Sequence, residues 1–204
     1  QGYSSAASDV YKRQDFSFTE EMNDLPPTLN DIDARLYFTL LSARKTAYAL
    51  VQDSTKPLAR CLAELLDFAE ELQGQIGALP TVTEKMDFRS VFQNPELINP
   101  QWPEKVAAGD LTAPVGESHF GRQIAMYFLF RYFLNLGLEG DVLSAAKMAV
   151  VGVLVPTYFG ADSWVMHLWS KETEHSDVNM ERYRRLLCTA DCLSVPTLKS
   201  RLDT

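Results

Sequence analysis

Residues 118–155 read SHFGRQIAMYFLFRYFLNLGLEGDVLSAAKMAVVGVLV, and this stretch decides the fold. From Ile124 to Leu134 it is apolar on nearly every side, with Arg131 as its one charge. That composition predicts a helix buried between other helices rather than one lying on the surface. Arg131, set among aromatic residues, has to pair with a carboxylate or reach solvent. Gly137 and Gly140 predict the end of this helix. Asp141 predicts the N-cap of the next, which runs to Val155 and which Pro156 should terminate. The small residues Ala145, Ala146, Ala149 and Gly152 would let a neighbouring helix approach closely. Neither apolar stretch is expected to span a membrane. Arg131 and Asn135 interrupt the first; the second carries Lys147 and falls short of the roughly 20 residues a crossing needs.

Outward from this pair the helical period continues. From Asp31, the residues Leu36, Leu40, Ala43, Ala47 and Leu50 recur at steps of three and four, the mark of one buried face. Asp53-Ser54-Thr55-Lys56-Pro57 breaks the pattern, with Ser54 or Thr55 as an expected N-cap and Pro57 in the first turn. A second helix runs from Pro57 to about Gln75, lined by Leu58, Leu62, Leu65, Leu66, Ala69 and Leu72, and stops at Gly77 to Pro80. The two read as an antiparallel hairpin. Residues 80–116 carry Pro80, Pro95, Pro100, Pro103 and Pro114 and no sustained period. Short helices are predicted near Glu84 to Phe92 and Pro103 to Ala108. The segment is too long for a plain connector, so it is either a binding loop or lid, or a packed irregular crossover. A last long helix is predicted from Ser163 to about Ala190. No repeat, glycine-rich phosphate loop or paired strand signal is present. The expected fold is therefore all-α, an irregular bundle of about five to six helices with a long proline-containing crossover.

The net charge of -8 argues against nucleic-acid binding, which normally needs a concentrated basic face. It fits a partner that presents a basic segment, such as a lysine-bearing substrate. Three cysteines, Cys61, Cys188 and Cys192, make no even disulfide framework and suggest reduced thiols in the cytoplasm. Cys188 and Cys192 share a face if helical, but a metal cluster needs about four ligands. Inert thiols and no metal site are the expectation. His119 and His167 stand alone.

Lys171-Glu172-Thr173-Glu174-His175-Ser176-Asp177-Val178-Asn179 is the most specific segment. On one continuous helix, Trp164, Leu168, Glu172, His175, Asn179, Arg182 and Leu186 share a broad face, so polar groups fill the middle of an apolar stripe. Burying them costs a few kcal/mol each unless they are hydrogen-bonded. Two readings follow. His175 is a proton-transfer group tuned by Glu174 or Glu172, which makes Glu174 and His175 the candidate catalytic residues. Alternatively the set is a satisfied structural network, with the His175 ring hydrogen-bonded inside the bundle.

Two stretches taken together resemble the carboxy-terminal region of the flagellin lysine-N-methylase family. One is Met126-Tyr-Phe-Leu-Phe-Arg-Tyr-Phe133 followed by the small-residue helix around Lys147 to Leu154. The other is Glu174-His175-Ser176 with Asn179, close to the family's Glu-His-Ser-Glu-Glu-Asn signature. The helix pair from Asp33 to Leu72, with Arg60 ahead of its leucines, also resembles the family. Arg122-Gln123 departs from the acidic residue and asparagine the family has there. The resemblance implies methyl transfer from S-adenosylmethionine to lysine side chains of flagellin. It also implies a 4Fe-4S cluster held by a cysteine-rich amino-terminal region, which would be the other partner of this part. That cysteine-rich region is absent from this sequence, so cluster binding does not carry over, and neither cofactor is expected in this part.

Residues 4–14, Ser-Ser-Ala-Ala-Ser-Asp-Val-Tyr-Lys-Arg-Gln, resemble an in-frame translation of a transposon-tagmentation sequencing adapter. The expected organisation is then an artefactual segment at 1–14 and an acidic loop with Pro26-Pro27 at 15–30. A helical domain at 31–190, the carboxy-terminal part of a larger protein, follows, with a disordered tail at 191–204.

Overall fold

Helical periodicity carries through most of the chain in the computed structural model, which describes residues 31–161 and 163–203. The expectations for 1–14 and 15–30 lie outside the described residues. The chain divides into two units, Gln1–Leu36 and Tyr37–Thr204, and of the first only the opening of helix α1 is described. The fold is all-α. Its helices are α1 Asp31–Gln52, α2 Leu58–Ile76, α3 Gln101–Ala108, α4 His119–Leu138, α5 Val142–Phe159, α6 Ser163–Glu174, α7 Asp177–Thr189 and α8 Val195–Leu202. Among the described residues there is no strand, only an isolated parallel bridge between Glu84 and Ala190.

Helix α5 is the centre. It is the one described helix long and apolar enough to cross a membrane, and 94% of that stretch is buried inside the protein. Its small residues do what the sequence suggests. A Cβ on Gly152 would come within 2.6 Å of the Phe128 ring, so α4 lies tight against it. Gly137 of α4 likewise leaves room for Leu40 of α1, and Gly121 leaves room for Leu58 of α2. Along α2, Leu58 meets Gly121 while Gln73 donates to the Gly140 carbonyl at 2.7 Å, which sets α2 parallel to α4.

Four boundaries differ from expectation, each for a physical reason. The second helix starts at Leu58, and its first amide is satisfied by Glu117 Oε2 at 2.9 Å; Ser54 and Thr55 do not cap it. Asp141 caps α5 as expected, accepting from Ser144 N at 3.2 Å, but the helix continues through Pro156 to Phe159. Proline inside a helix costs about 3 kcal/mol. The extra turn places Tyr158 against Phe88, and Phe159 against Phe92 and Trp102, which offsets that cost. The predicted helix from Ser163 to Ala190 is two helices, α6 and α7.

The tail is also not disordered. Ser194 caps α8 and Pro196 sits in its first turn, so Ser194-Val195-Pro196 is a start signal rather than a break. Leu198 is fully buried, Leu202 is buried, and Lys199 reaches Asp67 of α2 at 2.7 Å. Splitting the last helix, adding α8 and forming α3 explain why there are eight described helices rather than five or six.

Candidate functional site

The break between α6 and α7 falls inside the Glu-His-Ser segment and has a local cause. Ser176 Oγ accepts from Asn179 N at 3.1 Å and caps α7. The Glu172 carbonyl, which a continuous helix would pair with the amide of Ser176, instead accepts from Asn179 Nδ2 at 2.7 Å. A serine and an asparagine three residues apart thus replace a turn of helix with side-chain bonds.

This break rearranges the predicted stripe. Leu168, Glu172, Asn179 and Leu186 are buried, but Trp164 is 47% exposed. His175 sits at the turn, exposed, and makes no hydrogen bond among the described residues. Both expectations for His175 needed a partner, Glu172 or Glu174 to tune it or a bond inside the bundle. The geometry provides neither, because the turn carries the ring out of the face that a straight helix would have buried.

The buried polar groups grip the crossover instead. Glu172, fully buried, accepts the backbone amides of Ile98 at 3.0 Å and of Asn99, with Asn94 Nδ2 at 3.5 Å. Asn179, also fully buried, accepts from Glu96 N at 3.0 Å and donates to the Glu96 carbonyl at 2.8 Å. Ser176 Oγ donates to the Glu96 carboxylate. Arg182 donates to the Ser90 and Val91 carbonyls, each at 2.8 Å. Of the two readings left open for 80–116, the packed irregular crossover is the one observed. A 3₁₀ turn at Phe88–Phe92 and helix α3 are its only helical parts among the described residues. Arg89 closes the carboxy end of α3 by donating to the carbonyls of Val106, Ala107 and Gly109.

Glu174 is separate from this clamp. Its side chain is 6% exposed and faces α4. Tyr127 Oη lies 3.2 Å from both carboxylate oxygens, Tyr132 Oη donates to Oε1, and Ser170 Oγ donates to Oε2 at 2.6 Å. Arg131 Nε stands 2.9 Å from Oε1 with its side chain half exposed, its guanidinium over both tyrosine rings. Burial, reinforced by the Glu174 charge, pushes both phenols above the usual tyrosine range, so they remain donors. Behind Glu174 lies a cavity of about 10 Å³, bordered by Phe128, Trp169 and the buried Tyr183. The carboxylate that Arg131 requires is thus Glu174. Tyr127, Tyr132 and Ser170 were not singled out in the sequence. The spacing of Tyr127, Arg131 and Tyr132 on one predicted helix was the signal available for two of them.

Arg122 ties the α1–α2 turn to the start of α4. It donates to the carbonyls of Val51 at 2.6 Å and Lys56 at 2.8 Å and pairs with Glu117 at 2.8 Å. Lys147 is buried in α5 and donates to the Leu187 carbonyl at 2.7 Å, at the negative end of the α7 dipole. Burial holds its ammonium below the usual lysine range.

The cysteines do not fit an iron–sulfur cluster. Cys188 ends in α7, whereas Cys192 lies in a separate 3₁₀ turn at Asp191–Leu193, so the two do not share a helix face. Burial pushes the Cys192 thiol up to about 11 and raises Cys188 as well. Cys61 is buried beside the Asp53 and Lys56 carbonyls. Among the described residues no three His, Cys, Asp or Glu side chains converge as metal ligands. A surface groove of about 470 Å³ between α2 and α8 is lined by Asp67, Glu70, Lys199 and Asp203 without an aromatic wall, a poor fit to an adenosine-bearing methyl donor. Compared with protein-family models, curated proteins and solved structures, the chain matches none.

Proposed function

We propose that this chain is the carboxy-terminal helical part of a cytoplasmic protein-lysine N-methylase that acts on flagellin. The observation that carries the reading is the setting of Glu174, within the Glu-His-Ser stretch on which the resemblance rests. A nearly buried carboxylate opening onto tyrosine rings suits an amine-bearing side chain. The role assigned to this part is on the acceptor side: positioning the lysine, with S-adenosylmethionine and the cluster held elsewhere in a longer protein. His175 and Glu174 are not a proton-transfer pair in this reading. Glu174 binds, and Glu172, Ser176 and Asn179 fix the hairpin that presents it.

The test begins with a genomic read upstream of Asp15. The reading expects a cysteine-dense region there, and the whole protein should transfer labelled methyl groups from S-adenosylmethionine to flagellin lysines. No such region, or no transfer by the whole protein, overturns it. A second reading, a non-catalytic interaction module, has one observation in its favour. Leu97 and Ile98 on the crossover are 57% and 42% exposed. Substituting both with serine should leave methyl transfer unchanged if the first reading holds.

A further inference from the structure

Arg131 and Glu174 are unequal partners. The carboxylate is 6% exposed and anchored by three hydroxyls from two helices, whereas the arginine side chain is 50% exposed. The Nε hydrogen of Arg131 is directed to the Tyr132 hydroxyl at 3.1 Å, so its attraction to Glu174 is chiefly that of a neighbouring charge. Its guanidinium lies 5.9 Å and 5.6 Å from the ring centroids of Tyr127 and Tyr132. A fixed anion beside two aromatic faces is the arrangement that recognises organic cations. Here it is filled by a side chain of the same helix that supplies the rings.

We infer that Glu174, Tyr127 and Tyr132 form a docking site for a lysine side chain of a partner protein, and that Arg131 occupies it until that lysine displaces it. An ammonium on a four-carbon stem suits the site better than a second guanidinium. It is compact enough to reach a nearly buried carboxylate, it carries three donors, and its apolar stem can lie along the tyrosine rings. On release, Arg131 moves into solvent, where a guanidinium is stable. The net charge of -8 favours approach of a basic partner. Exposed Phe130 and Tyr127 on the same helix give the residues flanking that lysine an apolar surface to rest on. This rests on the acceptor-side reading above and adds a self-occupied, exchangeable site.

The test measures binding without catalysis. The probe is Nα-acetyl-lysine methylamide, with the norleucine analogue as control, titrated into the 204-residue chain and followed by NMR of the tyrosine rings. Arg131→Met should bind the lysine probe at least tenfold more tightly than the parent, and Arg131→Gln should reproduce the gain. Neither substitution should tighten the norleucine analogue. Adding Glu174→Gln to Arg131→Met should return affinity to the parent level. Equal affinity in the parent and both folded Arg131 variants overturns the proposal, as does an equal gain for norleucine. Failure here while the longer protein still methylates flagellin removes the docking site and leaves the methylase reading. Probe binding as expected, with no methylation, does the reverse.

Discussion

Asn179→Ala is the sharpest test of the clamp that α7 places on the crossover. The side chain is fully buried and makes three bonds: it accepts from Glu96 N at 3.0 Å and donates to the carbonyls of Glu96 at 2.8 Å and Glu172 at 2.7 Å. Alanine removes all three. The Glu172 bond is the most enclosed, and leaving a buried acceptor unpaired costs about 1–3 kcal/mol. The two bonds to Glu96 face partly into solvent, where water replaces some of the loss, so about 0.5–1.5 kcal/mol each is reasonable. Because the three act as one unit, an overall loss of about 2–5 kcal/mol is expected. Urea unfolding at pH 7 reads this as a lower midpoint with an unchanged slope. Native-state hydrogen exchange should show the amides of Glu96, Ile98 and Asn99 losing protection together. Asn179→Asp should be at least as damaging, since it turns a carboxylate oxygen toward two carbonyls. A loss under about 0.5 kcal/mol, with the Glu96 amide still protected, would refute the clamp.

Three further outcomes are expected. His175→Ala should change the thermal midpoint by no more than the equivalent of about 0.5 kcal/mol, because the ring is exposed and unbonded; a loss above about 1 kcal/mol would show a partner. Gly109→Ala should cost about 1–3 kcal/mol, since the new methyl would sit 2.3 Å from the Phe159 ring and 2.7 Å from the Tyr158 carbonyl; Gly116→Ala, with no atom within 4 Å, is the matched control in the same melting experiment. Lys147→Met probes the buried ammonium through pH. Burial lowers the folded pKa below the ordinary 10.5 of the unfolded chain, so the unfolded state holds the extra proton between those values. Lys147 therefore weighs against folding at neutral pH and less so as pH rises toward 10.5. The stability of the methionine variant relative to the parent should fall over that window, and a pH-independent difference would contradict the account.

The helical core was legible because it obeys a short-range rule. Leu58, Leu62, Leu65, Leu66 and Ala69, predicted from spacing alone, are all buried, and Gly152 does bring α4 close. Readings failed where a distant partner overrode a local signal. Ser54 and Thr55 look like caps, but Glu117, 59 positions from Leu58, supplies the acceptor. Pro156 looks like a stop, yet an aromatic cluster from the crossover holds the next turn in place. The candidate site divides the same way. That Glu172 and Asn179 needed partners followed from their placement in an apolar stripe; that those partners are backbone groups of a proline-rich loop did not. His175 was misplaced because a helix period was extended across a serine that starts a new helix.

The route of the crossover bears on how the protein is made. Met86 N bonds to Asp191 Oδ1, 105 positions later, and the amides of Thr83 and Glu84 both donate to the Thr189 carbonyl at 2.9 Å. At about 5–20 residues per second, the ribosome delivers Asp191 roughly 5–20 s after Met86 emerges. During that interval Phe88 and Phe92, buried in the finished fold, have no α6–α7 hairpin to pack beneath. Pairing across so wide a separation is slow even in a released chain. The crossover is thus expected to be among the last parts of the fold to settle, with its aromatic residues exposed until residues 189–191 are in place.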